Sequence, residues 1–254
     1  MSRPITPEDL WNLKRVGQPE HIPNTTSSVV PVVTYDEENE AHSVLYVVDR
    51  DGSTRQLTST ERFASSPVPS PDGRRIAFLG KKGDDKPQAH VMPLDGGESQ
   101  CVTELPLGAR AIEWVPGRDA LIVAAPLLRD HPSIEATKEY LEDNSDKVEP
   151  VVTEDRVFRH WKKWLAGAHV DHLVRIDLDT EEVTDLTPDL SRLMGLDEVA
   201  GSFTVTPDGA NIIFTLDAHE PAWDRIRFAL HSVPVDGGEI ARVPTGESVQ
   251  QYRP

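Results

Sequence analysis

Recurrent turn signatures, short apolar runs between them and a repeat of about 45 residues predict an all-β fold built from propeller blades. The clearest unit spans residues 66–103. It begins with the turn Ser70-Pro71-Asp72-Gly73, in which proline presets φ and glycine accepts a positive φ. A strand-length apolar run follows at residues 75–79, and Asp95-Gly96-Gly97 predicts a hairpin turn. One such meander cannot bury both of its faces, so we expect stacked copies.

Three kinds of sequence echo recur in the same order along the chain. The first is the proline turn, found at residues 71–73, 116–118 and 207–209. The second is an apolar residue followed by threonine, found at residues 57–58, 102–103 and 186–187. The third is the Asp-Gly-Gly turn, found at residues 95–97 and 236–238, with a looser copy at 49–52. Their common order predicts four-stranded units in series.

These echoes predict about four blades in an incomplete ring. The expected blades are residues 19–60, 61–106, 107–190 and 191–254, so that a partial propeller occupies residues 19–254. The first blade has lost the full turn signature and carries Pro19-Glu20 and then Pro23-Asn24 in its place. An insertion at residues 126–170 interrupts the third blade. Within it, residues 133–141 have helical spacing, and residues 155–165 fit either a helix or a strand.

The N-terminal domain, residues 1–18, is predicted to be a helix over residues 5–17. Thr6 is a good N-cap residue and Pro7 suits the first helical position. Leu10 and Leu13 share one face, which we expect to pack on the body of the protein, and Gly17 supplies the stop.

Composition excludes several classes of function. The chain has 254 residues, a formal net charge of −17 and a pI near 4.9, so binding to nucleic acid or to an anionic membrane is not expected. A solubilising acidic surface is the commoner explanation of this charge, and a surface that binds cations or amines is the alternative. The N-terminus has no apolar stretch of signal-peptide length, and the best apolar run, residues 120–128, is too short to span a membrane. The sequence therefore predicts a cytoplasmic protein.

The search for chemistry leads to no catalytic, cofactor or metal residues. A Gly-x-Ser-x-Gly nucleophile elbow and a phosphate-binding loop are both absent from the sequence. His160, His169 and His172 lie near Asp171, but their spacing is a weak metal signal. The only cysteine, Cys101, sits in an apolar strand pattern and is predicted to be buried.

Two tryptophans in the insertion leave two interpretations open. Trp161 and Trp164 could line a ligand pocket, or they could pack in the core or between blades, which is the commoner fate of such residues.

Four segments resemble the prolyl oligopeptidase family of serine peptidases, and in particular its acylaminoacyl-peptidase and dipeptidyl-peptidase branch. The segments are residues 9–17, 70–79, 91–98 and 159–165. The first resembles the N-terminal helix of that branch, the next two its blade repeat, and the last its insertion. The resemblance covers almost the whole chain.

The resemblance implies a role in substrate access. In that family a propeller of seven or eight blades precedes an α/β-hydrolase domain, caps its active site and admits only peptide-sized substrates. The family's Ser, Asp and His triad lies in the hydrolase domain, and no position here matches it. The resemblance thus implies the substrate-gating part of a serine peptidase acting on short peptides, not catalytic by itself. Its implied partners are a peptide substrate and a C-terminal hydrolase domain, either missing or on a separate chain.

A second interpretation is a stand-alone module that binds a protein partner, similar to the propeller of the periplasmic Tol system. The missing signal-peptide stretch and the presence of only four blades argue against it. In either case an unfinished ring would expose blade faces and strand edges. We therefore expect oligomerisation, aggregation or marginal stability of this chain alone.

Overall fold

The computed structural model describes residues 3–144, 152, 158–161, 163–165, 169–196, 199–218 and 227–244. The chain divides into two compact units, Met1–Thr103 and Glu104–Pro254. Unit 1 contains the first and second sheets, and unit 2 contains the third and fourth. Each of these four sheets is antiparallel and its strands follow chain order, as predicted for propeller blades.

Unit 1 begins with the helix α1 (Pro7–Trp11). The first sheet consists of β1 (Arg15–Val16), β2 (Glu20–His21), β3 (Ser28–Tyr35), β4 (Ala41–Val48) and β5 (Thr54–Gln56), with β1 and β2 both paired to β3. The second sheet consists of β6 (Phe63–Pro69), β7 (Arg75–Lys81), β8 (Gln88–Pro93) and β9 (Gln100–Cys101).

Unit 2 holds two sheets, a helix and a small hairpin. The third sheet consists of β10 (Ala111–Trp114), β11 (Ala120–Leu128), β14 (His169–Asp177) and β15 (Val183–Asp185). Between β11 and β14 the chain forms the helix α2 (Ile134–Asp143) and a hairpin of β12 (Arg159–His160) and β13 (Lys163–Trp164). The fourth sheet consists of β16 (Phe203–Val205), β17 (Asn211–Asp217), β18 (Phe228–Pro234) and β19 (Ala241–Arg242).

The insertion in the third blade is partly helical, as predicted. Ser133 caps α2, because its hydroxyl accepts a hydrogen bond from the Ala136 amide at 3.0 Å. Of the two alternatives for residues 155–165, helix or strand, the strand is found where the segment is described, as the hairpin β12–β13. Residues 155–157 and 162 lie outside the described residues.

The N-terminal helix is present but shorter than expected. It ends at Trp11 instead of reaching Gly17, and it buries none of its residues. Leu10 and Leu13 remain 54% and 56% exposed, so the predicted packing of this face on the body is wrong. Because this face has no packing partner, nothing stabilises further helical turns, and the chain leaves the helix after Trp11 and enters β1.

The proline turn closes the first hairpin of all four sheets, including the first sheet, where its sequence is degraded. In each case the amide of the first turn residue donates to the carbonyl five residues later, and its carbonyl accepts from the amide three residues later. The four turns begin at Ile22, Ser70, Val115 and Thr206. In the second and fourth sheets the Ser70 and Thr206 hydroxyls also donate to Asp72 and Asp208, which lowers the pKa of both carboxyl groups.

The apolar-Thr echo has a defined structural role. The hydroxyl oxygens of Thr58, Thr103 and Thr187 accept the amide protons of Leu45, Ala89 and Leu173, at 2.9 to 3.0 Å. Each threonine therefore extends the pairing of an outer strand by one hydrogen bond at a buried position. The fourth sheet has Pro244 at the corresponding position and cannot make this bond.

We expect Thr187→Val to lower the free energy of unfolding by about 2 kcal/mol, because the substitution leaves the buried Leu173 amide without its acceptor. Urea unfolding measures the loss. Thr187→Ser keeps the hydroxyl and should recover most of it. A loss in Thr187→Ser with none in Thr187→Val would mean that the methyl group, and not the hydrogen bond, matters at this position.

Each compact unit contains two linked sheets, so the chain repeats as pairs of sheets as well as single blades. In unit 1, the Arg55 side chain donates to the Leu94 carbonyl at 2.6 Å. In unit 2, the Arg175 side chain donates to the Val235 carbonyl at 2.9 Å. Both carbonyls immediately precede an Asp-Gly-Gly turn. In each unit, therefore, an arginine of one sheet bonds to the other sheet at the same point of the repeat.

A cross-strand Phe–His pair marks the second sheet of each unit. Phe78 stacks on His90 with ring centroids 5.4 Å apart, and Phe214 lies 6.1 Å from His231 in the matching register. Both histidines are buried. Burial lowers the pKa of His90 to about 4 and also lowers the pKa of His231. These histidines therefore act as neutral core residues.

The pKa of His90 predicts how stability changes with pH. The unfolded chain binds a proton at this histidine near its ordinary pKa of 6.5, whereas the folded chain binds it only near pH 4. The stabilisation by neutral His90 is therefore fully present above pH 6.5 and is lost as the pH falls towards 4. We expect His90→Leu to flatten this part of the stability profile, measured by urea unfolding. The exposed-site control His21→Gln should keep the wild-type slope, and an unchanged slope in His90→Leu would contradict the prediction.

Candidate functional site

A charged cluster lies at one end of the third sheet, where β14 begins. Arg110 precedes β10 and approaches the first residues of β14. Its guanidinium donates to Asp171 Oδ2 at 2.9 Å and contacts His169 Nε2 at 2.7 Å. Asp171 is 8% exposed, whereas the Arg110 side chain is 32% exposed, so the carboxylate is the buried partner of this ion pair. In this cluster, Arg110 thus contacts both a carboxylate and an imidazole.

Strand geometry separates the histidines that are close in sequence. Successive residues of a strand point to opposite faces, so His169 and Asp171 share one face while His172 points to the other. His172 is fully buried, and its Nδ1 lies 2.9 Å from Asp185 Oδ2 on β15. His160 is on the separate hairpin β12–β13. Within the described ranges, no three His, Cys, Asp or Glu side chains converge to hold a metal ion.

Sequence reasoning missed Arg110, which organises this cluster. It is 59 residues from His169 and stands in a largely apolar segment with no motif around it. Only the pairing of β11 with both β10 and β14 brings the two residues together. No local sequence signal could have identified the contact.

Two serines that follow a glycine, Ser53 and Ser202, lack the second glycine of a nucleophile elbow, and both serines and Cys101 have structural surroundings. The Ser53 hydroxyl donates to Asp49 in the turn before β5, and Ser202 is buried at the entry to β16, with its amide donating to the Val199 carbonyl. Cys101 is exposed, so the prediction that it is buried is wrong. It lies on β9, the outer strand of its sheet, and its thiol contacts the Thr103 carbonyl at 3.2 Å. The apolar pattern around it reflects an edge strand rather than a core strand.

The hairpin β12–β13 displays aromatic side chains at the surface. Trp161 is 83% exposed at the turn, and Phe158 and Trp164 are about half exposed. Phe158 meets the Trp164 ring edge-on, with centroids 5.1 Å apart, and the Arg159 guanidinium lies 4.9 Å from the Trp164 ring centre. Of the two interpretations left open for these tryptophans, packing in the core does not apply.

Membrane insertion has no support from the helices. None of those formed by the described residues is long and apolar enough to cross a bilayer.

Comparison with known proteins gives a consistent set of relatives. No family model matches the chain. Over 222 residues it is 23% identical to the uncharacterized peptidase YuxL of Bacillus subtilis, covering 87% of this chain and 32% of the relative. Over 220 residues it is 27% identical to dipeptidyl-peptidase 5 of Porphyromonas gingivalis, covering 83% of this chain and 31% of the relative. The chain therefore spans about a third of the length of the curated relatives it matches.

Solved structures show the same fold. Acylaminoacyl peptidase of Pyrococcus horikoshii matches with a TM-score of 0.64 and 17% identity, over 92% of this chain and 33% of that structure. A TolB protein from Agrobacterium tumefaciens matches with a TM-score of 0.57 and 16% identity, over 92% of this chain and 63% of that structure. The sequence relatives are both peptidases, whereas the structural neighbours include other propellers. Fold and sequence homology together relate this chain to the propeller portion of prolyl oligopeptidase family peptidases.

Proposed function

We propose that this chain is the substrate-gating propeller of a prolyl oligopeptidase-like serine peptidase that acts on short peptides in the cytoplasm. The observation that carries the proposal is that both curated relatives are peptidases about three times as long as the region they share with this chain. A catalytic α/β-hydrolase domain would account for the remainder. The chain contributes no nucleophile of its own to this mechanism, and its part is to limit which substrates reach the hydrolase domain.

The N-terminal segment of unit 1 offers a surface for that hydrolase domain. Four apolar side chains within residues 5–16 are each more than half exposed: Ile5, Leu10, Leu13 and Val16. An apolar cluster of this kind is typical of a segment that another protein surface covers. In the assembled enzyme we expect Leu10 and Leu13 to be buried against the hydrolase domain.

The chain alone should not cleave alanyl, leucyl or N-acetylalanyl p-nitroanilides, because the groups that would activate a nucleophile belong to the hydrolase domain. The assay uses protein purified from a host whose own serine peptidases are deleted. Turnover that persists through purification would overturn the non-catalytic role. Once the hydrolase domain is joined, the complete enzyme should cleave these substrates but not folded proteins, and removing the propeller should relax that size limit.

A stand-alone module that binds a protein partner is the second candidate. The TolB likeness and the exposed aromatic hairpin of unit 2 favour it. The nucleotide sequence after codon 254 distinguishes the two. A reading frame there that encodes Gly-x-Ser-x-Gly supports the peptidase, and its absence together with a partner bound through Trp161 supports the module.

A further inference from the structure

Unit 1 contains a cavity of about 400 Å³ that lies between its two sheets and opens to the surface. Its apolar wall combines Leu57, which follows β5, with Phe78 and Met92 of the second sheet. Phe78 and Met92 are core residues, 1% and 3% exposed, and Leu57 packs against the same core. A volume of this size is in the range of small-molecule sites.

The corresponding region of unit 2 is filled by its own chain. There the connection between the two sheets, residues 188–202, places Leu190, Met194 and Val199 in one core cluster with Leu186 and Phe214. Leu186 and Phe214 are the counterparts of Leu57 and Phe78 in the two-sheet repeat. In unit 1 the connection is only residues 59–62, and it is polar. The cavity therefore occupies the space that apolar side chains of the longer connection fill in unit 2.

The polar part of the lining carries charges of both signs. Glu61 and Glu98 contribute carboxylates, and Arg62 contributes a guanidinium. Arg62 Nη1 lies 3.3 Å from Nε2 of the buried His90, which is neutral, so this contact positions the arginine without cancelling its charge. A guanidinium has five N–H donors, so most of its hydrogen-bonding capacity remains for a ligand carboxylate.

We propose that this cavity binds a zwitterionic ligand with a large apolar side chain, of the class of free apolar amino acids and their dipeptides. The apolar side chain would occupy the space beside Leu57, Phe78 and Met92, as Leu190 and Met194 occupy the counterpart space in unit 2. The ligand ammonium faces Glu61 and Glu98, and its carboxylate faces Arg62. The proposal rests on unit 1 alone and does not depend on the peptidase assignment.

Methyl NMR on the full chain tests this, because the two buried methionines report on the two units separately. Met92 lines the cavity, whereas Met194 is buried in the filled region of unit 2. Titration with leucyl-leucine to about 10 mM saturates a site with a Kd up to about 1 mM. We expect a saturable shift of the Met92 signal and none of the Met194 signal. An unmoved Met92 signal, or equal shifts of both signals, would overturn the proposal.

Charge and volume are tested by matched probes and variants. N-acetyl-leucyl-leucine amide lacks both ligand charges but keeps both side chains, and it should bind at least about tenfold more weakly than leucyl-leucine, since each lost charged hydrogen bond weakens binding severalfold. Glu98→Gln and Arg62→Gln should each weaken leucyl-leucine binding about fivefold. Ser99→Leu should abolish binding by filling the cavity, and circular dichroism checks that it is folded. Glu38→Gln, an exposed change in the β3–β4 turn, should leave binding unchanged. Equal binding of the neutral probe, or unchanged affinity in both charge variants, would refute the zwitterion assignment.

Discussion

Gly209→Ala is expected to destabilise unit 2 by about 3 kcal/mol, which is among the largest effects of any single methyl group in this chain. Gly209 ends the proline turn of the fourth sheet with φ +68°, and an added Cβ would lie 2.3 Å from the carbonyl oxygen of Pro116 in the turn of the third sheet. That oxygen belongs to the backbone, so it cannot rotate away. The substitution therefore combines left-handed strain with separation of the two sheets.

Gly117 provides the matched control for this prediction. It has φ +75° in the neighbouring turn, but an added Cβ would meet nothing within 4 Å. Gly117→Ala should therefore cost only the conformational strain, about 1 kcal/mol. Urea unfolding of both variants separates strain from sheet contact, and equal losses would show that the contact with Pro116 is unimportant. Gly73→Ala, whose Cβ would lie 2.5 Å from the Pro23 oxygen in unit 1, should behave like Gly209→Ala.

Arg110→Met is expected to cost about 3 kcal/mol, because it leaves the Asp171 carboxylate buried without its partner. The magnitude reflects desolvation of the orphaned charge more than the intrinsic strength of the ion pair. Urea unfolding measures the loss.

The double variant Arg110→Met/Asp171→Leu is the control for this effect. Removing both charges should restore much of the stability lost in Arg110→Met, because apolar side chains of similar size can replace a buried ion pair. A double variant that is as unstable as the sum of the two single variants would instead show that the two residues act independently. His169, which contacts the same guanidinium, is unchanged in both proteins.

Local sequence patterns were sufficient for the strands and turns. The apolar run at Arg75 and the turn at Ser70 fall where the sequence predicts them, because proline and glycine restrict the turn and alternation selects the strand. The repeated threonine was recognised as an echo, although its hydrogen bond to the strand amide could not be known from the sequence. The length of the N-terminal helix, the exposure of Cys101 and the exposure of Trp161 were not predictable, since each depends on what surrounds the residue.

The candidate sites depend even more on contacts that only the folded chain creates. The histidines near Asp171 are neighbours in sequence, yet strand alternation sends His169 and His172 to opposite faces, and Arg110 joins the cluster from 59 residues away. The cavity of unit 1 also has no sequence signature. It is visible only when its connection is compared with the longer connection of unit 2, where Leu190 and Met194 fill the equivalent space.

By itself, the amino-acid sequence determined that this protein is a series of antiparallel sheets with a peptidase-like blade repeat, although the first sheet has five strands instead of the predicted four. Those features are local, because a turn needs a few residues and a strand needs only its alternation. Only the tertiary structure decided that the sheets are linked in pairs through Arg55 and Arg175, and that a cavity lies in unit 1 at the place where apolar side chains pack in unit 2. Such contacts join residues far apart in the chain, and their energies depend on burial and distance, which no local pattern encodes.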